Sequence, residues 1–427
     1  MNNYQDLYYP QRTFNNADEI RYTYCLHAVN HMLKTRTKIL HHNAKLSKNN
    51  DNMSDEYRDQ GLVRPKVLII VPFKDAAYRV VKTIIDILVP KEAGQVLNKK
   101  RFEDDFTGGE LIMPRKNPKP EDYELMFNFY SSDIIVSSPL GLRMIVGAEG
   151  EEDRDYDFLA SIELLVMDQA DVFYMQNWDH VLHVLDLFHL QPKSTHGTDF
   201  SRVRQTLIFS SVMLPVIKAV INKKCHNYAG RVLVENPIEV GSIQQVLLQV
   251  PQVFHRFNAP SPLEAVDARF EYFVKEVLPK QRDALMSHTL IYVPSYFDYV
   301  RLRNYFKKED IGFDGKIARA RDMFFHSEAH FMLYSERVHF FRRFRIKGIR
   351  HIIFYQPPTY PHFFSEMCNL MQEVNQNKYG GSEHNMSVTV LFCKYDVQAV
   401  SALAGATRVA RLVGSDKAVH MFVTGEK

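Results

Sequence analysis

Two carboxylates follow a short apolar run in the first half of the chain, in the tetrad Asp168-Gln169-Ala170-Asp171. The run before them, Leu164–Met167, is typical of a buried strand, and ligands of open α/β sheets bind at the carboxyl ends of strands. Asp168 could coordinate magnesium there through water, as phosphoryl-transfer enzymes require. Gln169 cannot accept a proton as a carboxylate does. The tetrad therefore offers a metal ligand without a group that activates water.

A second candidate is a basic segment that alternates cations with aromatic residues, from Arg337 to Arg350. Proteins that bind single-stranded nucleic acid combine such cations with aromatic rings on which bases stack. The same pattern fits a helix that buries Phe340, Phe341 and Phe344 in the core and leaves its arginines in water. The two interpretations are compatible, and the sequence does not choose between them.

Apolar β-branched runs that alternate with helical patterns predict the elements that would position these residues. In the first half they are Val67–Val71, Asp133–Val136, Leu164–Met167 and Thr206–Phe209, and in the second half Thr289–Val293, Phe331–Tyr334, His351–Tyr355, Val388–Phe392 and Val419–Val423. Helical patterns lie at Ala17 to about His41, Tyr78–Leu88 and Asp179–Leu187. Strands that are apolar on both faces indicate parallel sheets covered by helices. Because prolines interrupt the alternation from Pro237 to Pro262, we place a domain boundary there, giving domains 1–237 and 238–427.

Two successive α/β domains with polar loops at these places resemble the tandem RecA-like lobes of superfamily-two helicases, and the DEAD-box proteins in particular. The loops Val71–Asp75 and Ser137–Leu142 resemble two RNA-backbone loops, the tetrad resembles the DEAD sequence, and Ser210-Ser211-Val212 stands where SAT is usual. The resemblance implies an RNA groove lined by polar and basic residues. Its candidates are Lys74, Ser138, Pro139, Arg143, Ser295, Arg337, Arg342, Arg343 and Arg345.

Several parts that ATP hydrolysis needs are missing from the places that the resemblance assigns to them. A phosphate loop should precede the strand at Val67–Val71, yet the first glycine of the chain is Gly61, and no GxxxxGK[ST] pattern occurs. The arginine-finger motif should follow the strand at His351–Tyr355, but no arginine stands between Arg350 and Arg408. Without phosphate loop, water-activating acid and arginine fingers, we expect no catalytic residues, no cofactor and no ATPase activity.

This pattern of a retained scaffold and an erased site is similar to the digestive organ expansion factor family, whose members are ribosome-biogenesis proteins of the small-subunit processome. The matching segments span the chain from about Leu7 to its end. They are Arg58–Leu62, Pro65–Leu68, Tyr130–Asp133, the tetrad, His196–Thr206, Tyr292–Asp298 and Glu336–Arg343. The resemblance implies a nuclear, nucleolar location and a role in pre-rRNA processing. The implied partners are pre-ribosomal RNA, small nucleolar RNA or both, and processome proteins.

Composition is compatible with this interpretation but does not demand it. With 45% hydrophobic and 24% charged residues, the chain should fold. The 53 basic and 50 acidic residues leave a net charge that is too small, taken over the whole chain, to predict nucleic-acid binding. The four cysteines lack CxxC spacing, no HExxH pattern suggests a metal, and no apolar run is long enough to span a membrane. We therefore expect a soluble intracellular protein that acts as a non-catalytic docking scaffold. A degenerate but active RNA-dependent ATPase is the alternative.

Overall fold

A computed structural model describes residues 1–47, 64–89, 96–107, 132–151, 154–188, 204–236, 240–311, 317–377 and 385–424. The chain divides into two compact units, Met1–Glu235 and Asn236–Lys427, called the first and second lobe below. The family-like segments 58–62 and 196–203, and the first two residues of the segment 130–133, lie outside the described residues. Within the described residues, no helix is both long and apolar enough to cross a membrane.

The first lobe contains a six-stranded sheet in the order β3-β2-β4-β5-β1-β6, and every pairing in it is parallel. Its strands are β1 Asp6–Tyr9, β2 Val67–Ile70, β3 Ile134–Ser137, β4 Leu164–Asp168, β5 Gln205–Phe209 and β6 Arg231–Leu233. Its helices are α1 Ala17–Leu46, α2 Lys74–Leu88, α3 Lys99–Phe106, α4 Pro139–Val146, α5 Ala170–Leu187 and α6 Pro215–Lys224. Strands β2, β4 and β5 are buried along their whole length, because apolar clusters cover both faces of the sheet.

The second lobe contains a six-stranded sheet in the order β12-β7-β11-β10-β8-β9, in which only β12 is antiparallel to its neighbour. Its strands are β7 Pro251–Arg256, β8 Thr289–Val293, β9 Phe331–Ser335, β10 His351–Phe354, β11 Ser387–Phe392 and β12 Val419–Val423. Its helices are α7 Ala265–Tyr272, α8 Leu278–Gln281, α9 Tyr296–Lys308, α10 Ile317–Phe325, α11 Glu336–Arg342, α12 Pro361–Asn369, α13 Val397–Ala404 and α14 Ala406–Gly414.

The predicted fold class is confirmed: the chain forms two mostly parallel sheets covered by helices, as expected of tandem RecA-like lobes. Every predicted strand is present, and its ends fall within one residue of the prediction. Helix α1 continues past the predicted end near His41, and α5 begins nine residues before Asp179 with a kink at Asn177.

Three strands were not predicted, namely β1, β6 and β7. Strands β1 and β6 are only four and three residues long and contain charged residues, so neither forms an apolar run. Our interpretation of Pro251 as a break in the alternation was wrong, because Pro251 is the first residue of β7. Proline is tolerated at the first position of a strand because no hydrogen bond of the ladder depends on its nitrogen there.

Candidate functional site

The carboxyl ends of β1, β4 and β5 lie together in the first-lobe sheet, because the three strands are parallel neighbours in the order β4-β5-β1. Residues 10–16 connect β1 to the N-terminus of α1 at this edge. A loop between a strand and a helix N-terminus is where phosphate-binding proteins place their glycine-rich turn. This loop contains no glycine. The structure thus identifies the segment that stands in place of a phosphate loop.

Arg12 of this loop forms an ion pair with Asp168 at the end of β4. Its Nε donates to Asp168 Oδ1 at 2.7 Å, and its backbone N–H donates to the Ser210 carbonyl at 2.9 Å. The other carboxylate oxygen of Asp168 accepts a hydrogen bond from the Tyr24 hydroxyl of α1 at 3.2 Å. Both oxygens of the carboxylate are therefore engaged by the protein's own side chains.

Burial dominates the electrostatics of Asp168, whose side chain is 3% exposed. Desolvation raises the pKa of Asp168, and the Arg12 guanidinium and the Tyr24 hydroxyl oppose that rise. A buried carboxylate needs such partners, because an isolated charge in an apolar interior is strongly unfavourable. Arg12 supplies at this carboxylate the positive charge that a metal ion supplies in a phosphoryl-transfer site.

The remaining tetrad residues hold neighbouring segments together. Asp171 accepts hydrogen bonds from the Ser211 backbone N–H at 3.0 Å and from the Ser211 hydroxyl at 2.7 Å. Gln169 caps α5 in a left-handed conformation with φ of 60°, and Ala170 is buried in the core. In the part of the chain that the structure describes, no group of three or more His, Cys, Asp or Glu residues is placed to hold a metal. Arg12 and Tyr24 engage both oxygens of Asp168 and residues 10–16 contain no glycine, so the residues present do not fit a magnesium–triphosphate group.

The other first-lobe candidates lie at the carboxyl ends of β2 and β3. Lys74 is the exposed first residue of α2, and Pro139 is the buried first residue of α4. The Ser138 hydroxyl accepts the Gly141 N–H at 3.1 Å and so caps α4, which also carries the half-exposed Arg143. Since β2 and β3 are adjacent parallel strands, these four candidates share one edge of the sheet.

The carboxyl edge of the second-lobe sheet contains a different buried carboxylate. Ser295 lies just after β8 and Ser335 is the last residue of its neighbour β9, and their hydroxyls cap α9 and α11. Glu336, the first residue of α11, is fully buried and accepts hydrogen bonds from the Tyr292 hydroxyl at 3.2 Å and the Thr359 N–H at 2.9 Å. Desolvation raises the pKa of Glu336 to about 7, because no described cation pairs with it.

The arginines after Glu336 fall into two groups. Arg337 and Arg342 are exposed and form no ion pair with a described residue. Arg343 forms an ion pair with Glu366 and lies over the Phe363 ring at 4.3 Å. Arg345 donates through Nε to Asn375 Oδ1 at 2.8 Å. The cations of the basic segment are therefore not equally available to a ligand.

Of the two interpretations of this segment, the one that buries all three phenylalanines in the core was wrong. Phe341 is 44% exposed, and Phe340 and Phe344 are only partly buried. Helix α11 ends at Arg342, and it buries Glu336 and His339 instead. Apolar side chains therefore remain accessible beside the exposed arginines.

Sequence reasoning missed Arg12, Tyr24 and the buried state of Glu336. No local signal marks Arg12 as a site residue, since its partner lies 156 positions away. For Glu336 a signal existed: Ser335 follows an apolar strand as a capping residue, which places the next side chain in the first turn of a helix.

Sequence comparisons match almost the whole chain to two domain families. Residues 4–128 and 124–232 match the family described as "UTP25, NTP hydrolase-like domain", and residues 242–422 match "Utp25, C-terminal domain". Two similar relatives are both named "U3 small nucleolar RNA-associated protein 25 homolog". The Xenopus tropicalis protein is 47% identical over all of this chain and 61% of its own length, and the Homo sapiens protein is 46% identical over all of this chain and 62% of its length. The chain therefore spans about three fifths of these relatives.

A comparison with solved structures finds the yeast DEAD-box splicing factor Prp28. The match has a TM-score of 0.28 and 14% sequence identity, and it covers 90% of this chain and 78% of that chain.

Proposed function

This chain belongs to the UTP25 family, and we propose that it acts in the small-subunit processome as a non-catalytic scaffold that docks RNA and protein. The family prediction made from the sequence is thereby confirmed, since UTP25 and digestive organ expansion factor are names of one family. A role in ribosome biogenesis follows from this membership. The absence of catalysis, the docking role and the partners are the proposal.

One observation supports the proposal that the protein is non-catalytic. Arg12, in the loop that stands in place of a phosphate loop, contacts Asp168 at the end of β4. A magnesium ion would have to displace a guanidinium at 2.7 Å and the Tyr24 hydroxyl to reach this carboxylate. Phosphoryl transfer also needs backbone amides that cradle the phosphates, which a glycine-rich turn provides. The glycine-free loop supports the same proposal.

The partners are inferred from the names of the relatives, which are called U3 small nucleolar RNA-associated proteins. We propose that this chain likewise associates with U3 small nucleolar RNA, pre-ribosomal RNA and processome proteins, in the nucleolus. Because the chain covers 61% of the first relative, the activity of the whole protein is part of this proposal.

We propose that the RNA contacts use the loops at the carboxyl edges of the two sheets. Their residues are Lys74, Ser138, Pro139 and Arg143 in the first lobe and Ser295, Arg337, Arg342, Arg343 and Arg345 in the second. Lysine, arginine, hydroxyl and backbone N–H groups bind phosphate without a nucleotide, so this binding should be insensitive to ATP. Arg337 and Arg342 are the leading contacts in the second lobe, because no described acid competes for them.

Replacement of the endogenous protein in cells tests the non-catalytic proposal. Asp168→Asn keeps an acceptor for Tyr24 but removes the carboxylate that a metal-dependent ATPase requires. At matched protein abundance, we expect normal pre-rRNA processing. A processing defect at normal abundance would favour the alternative, an RNA-dependent ATPase.

A salt series with purified, folded protein tests the RNA surface. Arg337→Glu with Arg342→Glu should weaken binding to single-stranded RNA and reduce the salt slope, because up to two phosphate contacts are lost. Arg343→Glu is the comparison variant: it reverses one charge that is already paired with Glu366, and we expect a smaller effect. If the double variant binds RNA as the parent does but loses a processome protein, the segment is a protein-docking face.

A further inference from the structure

We propose that the C-terminal half of α1 is a separate RNA-binding surface, which holds the phosphate backbone on a line of basic side chains. This inference deepens the proposed RNA-docking role but uses none of the loop residues named above. The surface consists of Lys34, Lys38, His41 and Lys45, called the α1 stripe below.

The N-terminal half of α1 is fixed to the first lobe, whereas most of its C-terminal half is exposed. Tyr24, Cys25 and Ala28 are buried in the core, and the His27 ring bonds to the Gln205 amide at 2.7 Å. The last anchor in this half is His31, which contacts the Glu163 carboxylate at 2.9 Å. Beyond it only His42 is buried, so the helix presents most of its circumference to solvent.

The α1 stripe follows helical geometry. Its members stand at positions i, i+4, i+7 and i+11, which places them within an arc of about 60° on a helix of 3.6 residues per turn. At a rise of 1.5 Å per residue the stripe is roughly 16 Å long. All four side chains belong to exposed residues. A straight, rigid row of cations of this kind can follow a polyphosphate backbone.

The lysines in the C-terminal half of α1 have no acidic partner among the described residues. Residues 20–47 contain no aspartate or glutamate, although the chain as a whole is nearly balanced at +3. None of Lys34, Lys38 and Lys45 forms an ion pair with a described residue, and Lys34 only approaches the Tyr4 ring, at 6.0 Å. Like charges at i and i+4 destabilise an isolated helix, so Lys34 and Lys38 impose a cost that an anionic partner would relieve.

The physical chemistry favours RNA over an acidic protein segment. The stripe face carries three lysines and a histidine and no acidic residue, whereas the exposed Leu33 and Leu40 lie on a different face, about 100° away around the helix. Protein interfaces depend on buried apolar and aromatic anchors, and lysine is depleted in them. Phosphate binding needs only cations and the release of counterions. The stripe therefore has the composition of a backbone-binding surface without sequence readout.

A matched pair of charge reversals on the same helix tests the inference. Lys38→Glu lies on the stripe, whereas Arg36→Glu changes an exposed residue on the opposite face by the same charge. We expect Lys38→Glu to weaken binding to a uridine-only single strand and to an RNA duplex by roughly tenfold at about 0.1 M salt. Arg36→Glu should change either affinity by less than about threefold, because it removes no phosphate contact. Equal effects of the two variants would overturn the inference.

The triple variant Lys34→Glu, Lys38→Glu and Lys45→Glu provides the stronger measurement. Its salt slope should fall by about 2 to 3, since each lost phosphate contact contributes about 0.7 to 0.9. Fluorescence of Trp178, the single tryptophan, verifies that the first lobe is folded. The inference would be overturned if the triple variant bound RNA with the affinity and salt slope of the parent. It would also be overturned if the triple variant retained RNA binding but lost binding to a polyglutamate peptide.

These variants distinguish a failure of the α1 stripe from a failure of the proposed RNA-docking function. If the triple variant binds RNA normally while Arg337→Glu with Arg342→Glu does not, the stripe is wrong and the RNA role stands. If the triple variant alone loses binding, the stripe is right and the proposed loops are not the main contacts.

Discussion

Two of the carboxylates buried at the carboxyl edges of the sheets, Asp168 in the first lobe and Glu336 in the second, are stabilised differently. Asp168 in the first lobe has a cation, Arg12, and a hydroxyl, Tyr24. Glu336 in the second lobe has a hydroxyl, Tyr292, and a backbone N–H, but no cation among the described residues. The pKa of Glu336 is raised to about 7 by desolvation, since only neutral donors oppose it.

This difference shows two physical solutions to one problem. A buried carboxylate can remain charged beside a cation, or it can take up a proton when only neutral donors surround it. The first solution places a guanidinium where a metal ion would act, and the second leaves the folded lobe with a proton on Glu336 up to about pH 7. The predictions below test whether the two sites differ in this way.

Removal of Arg12 should have the largest effect. Arg12→Met leaves the Asp168 charge buried without its counterion, which typically costs about 3 to 5 kcal/mol. Urea unfolding followed by Trp178 fluorescence measures the free energy of unfolding of the first lobe. The matched control is Arg64→Met, which breaks the more exposed pair with Asp133 and should cost at most about 1 kcal/mol.

The double variant Arg12→Met with Asp168→Asn sharpens this test. Since no unpaired charge remains, it should recover most of the loss of Arg12→Met. Equal costs for Arg12→Met and Arg64→Met would mean that the Asp168 pair behaves like a surface ion pair.

The second lobe should lose stability as pH rises. Folding raises the pKa of Glu336 from about 4.5 to about 7, so the folded state binds more protons between these values. The free energy of unfolding should therefore fall by roughly 3 kcal/mol between about pH 5 and pH 8 through this group. Hydrogen exchange of β8, corrected for intrinsic rates at each pH, measures this fall.

Glu336→Gln should flatten that dependence, because the amide mimics the protonated acid at every pH. A pH dependence that is unchanged in Glu336→Gln would assign the effect to another group.

Removal of one hydroxyl from each site should have the smallest effect. Tyr24→Phe deletes a donor to a charged acceptor and should lower the free energy of unfolding by about 1.5 to 3 kcal/mol. Tyr292→Phe deletes a donor to an acid that is mostly protonated near pH 6, and at that pH it should lower the free energy of unfolding by about 1 kcal/mol. Trp178 fluorescence and hydrogen exchange of β8 report the two lobes separately. A larger loss of stability in Tyr292→Phe than in Tyr24→Phe would contradict the assignment of a charged Asp168 and a protonated Glu336.

The sequence predicted the scaffold well, because buried parallel strands such as Val67–Ile70 and Thr289–Val293 are continuous apolar runs. Strand β1 was not predicted because its four residues begin with Asp6 and form no such run. The phosphate-loop position could be found only once β1 was seen beside β5.

The contacts of the candidate site could not be predicted from the sequence. The missing glycines and arginines can be read directly from the sequence, whereas the Arg12–Asp168 pair depends on tertiary structure. Likewise, burial of Glu336 depends on how α11 packs against Thr359, and a glutamate among arginines is usually exposed.

Calorimetric titration of ATP with magnesium into the purified chain, alongside Arg12→Ala, tests the central claim most directly. The site is filled by Arg12 and lacks a phosphate loop, so we expect no micromolar binding to either protein. Micromolar affinity of the parent, with RNA-stimulated phosphate release that Asp168→Ala abolishes, would contradict the account.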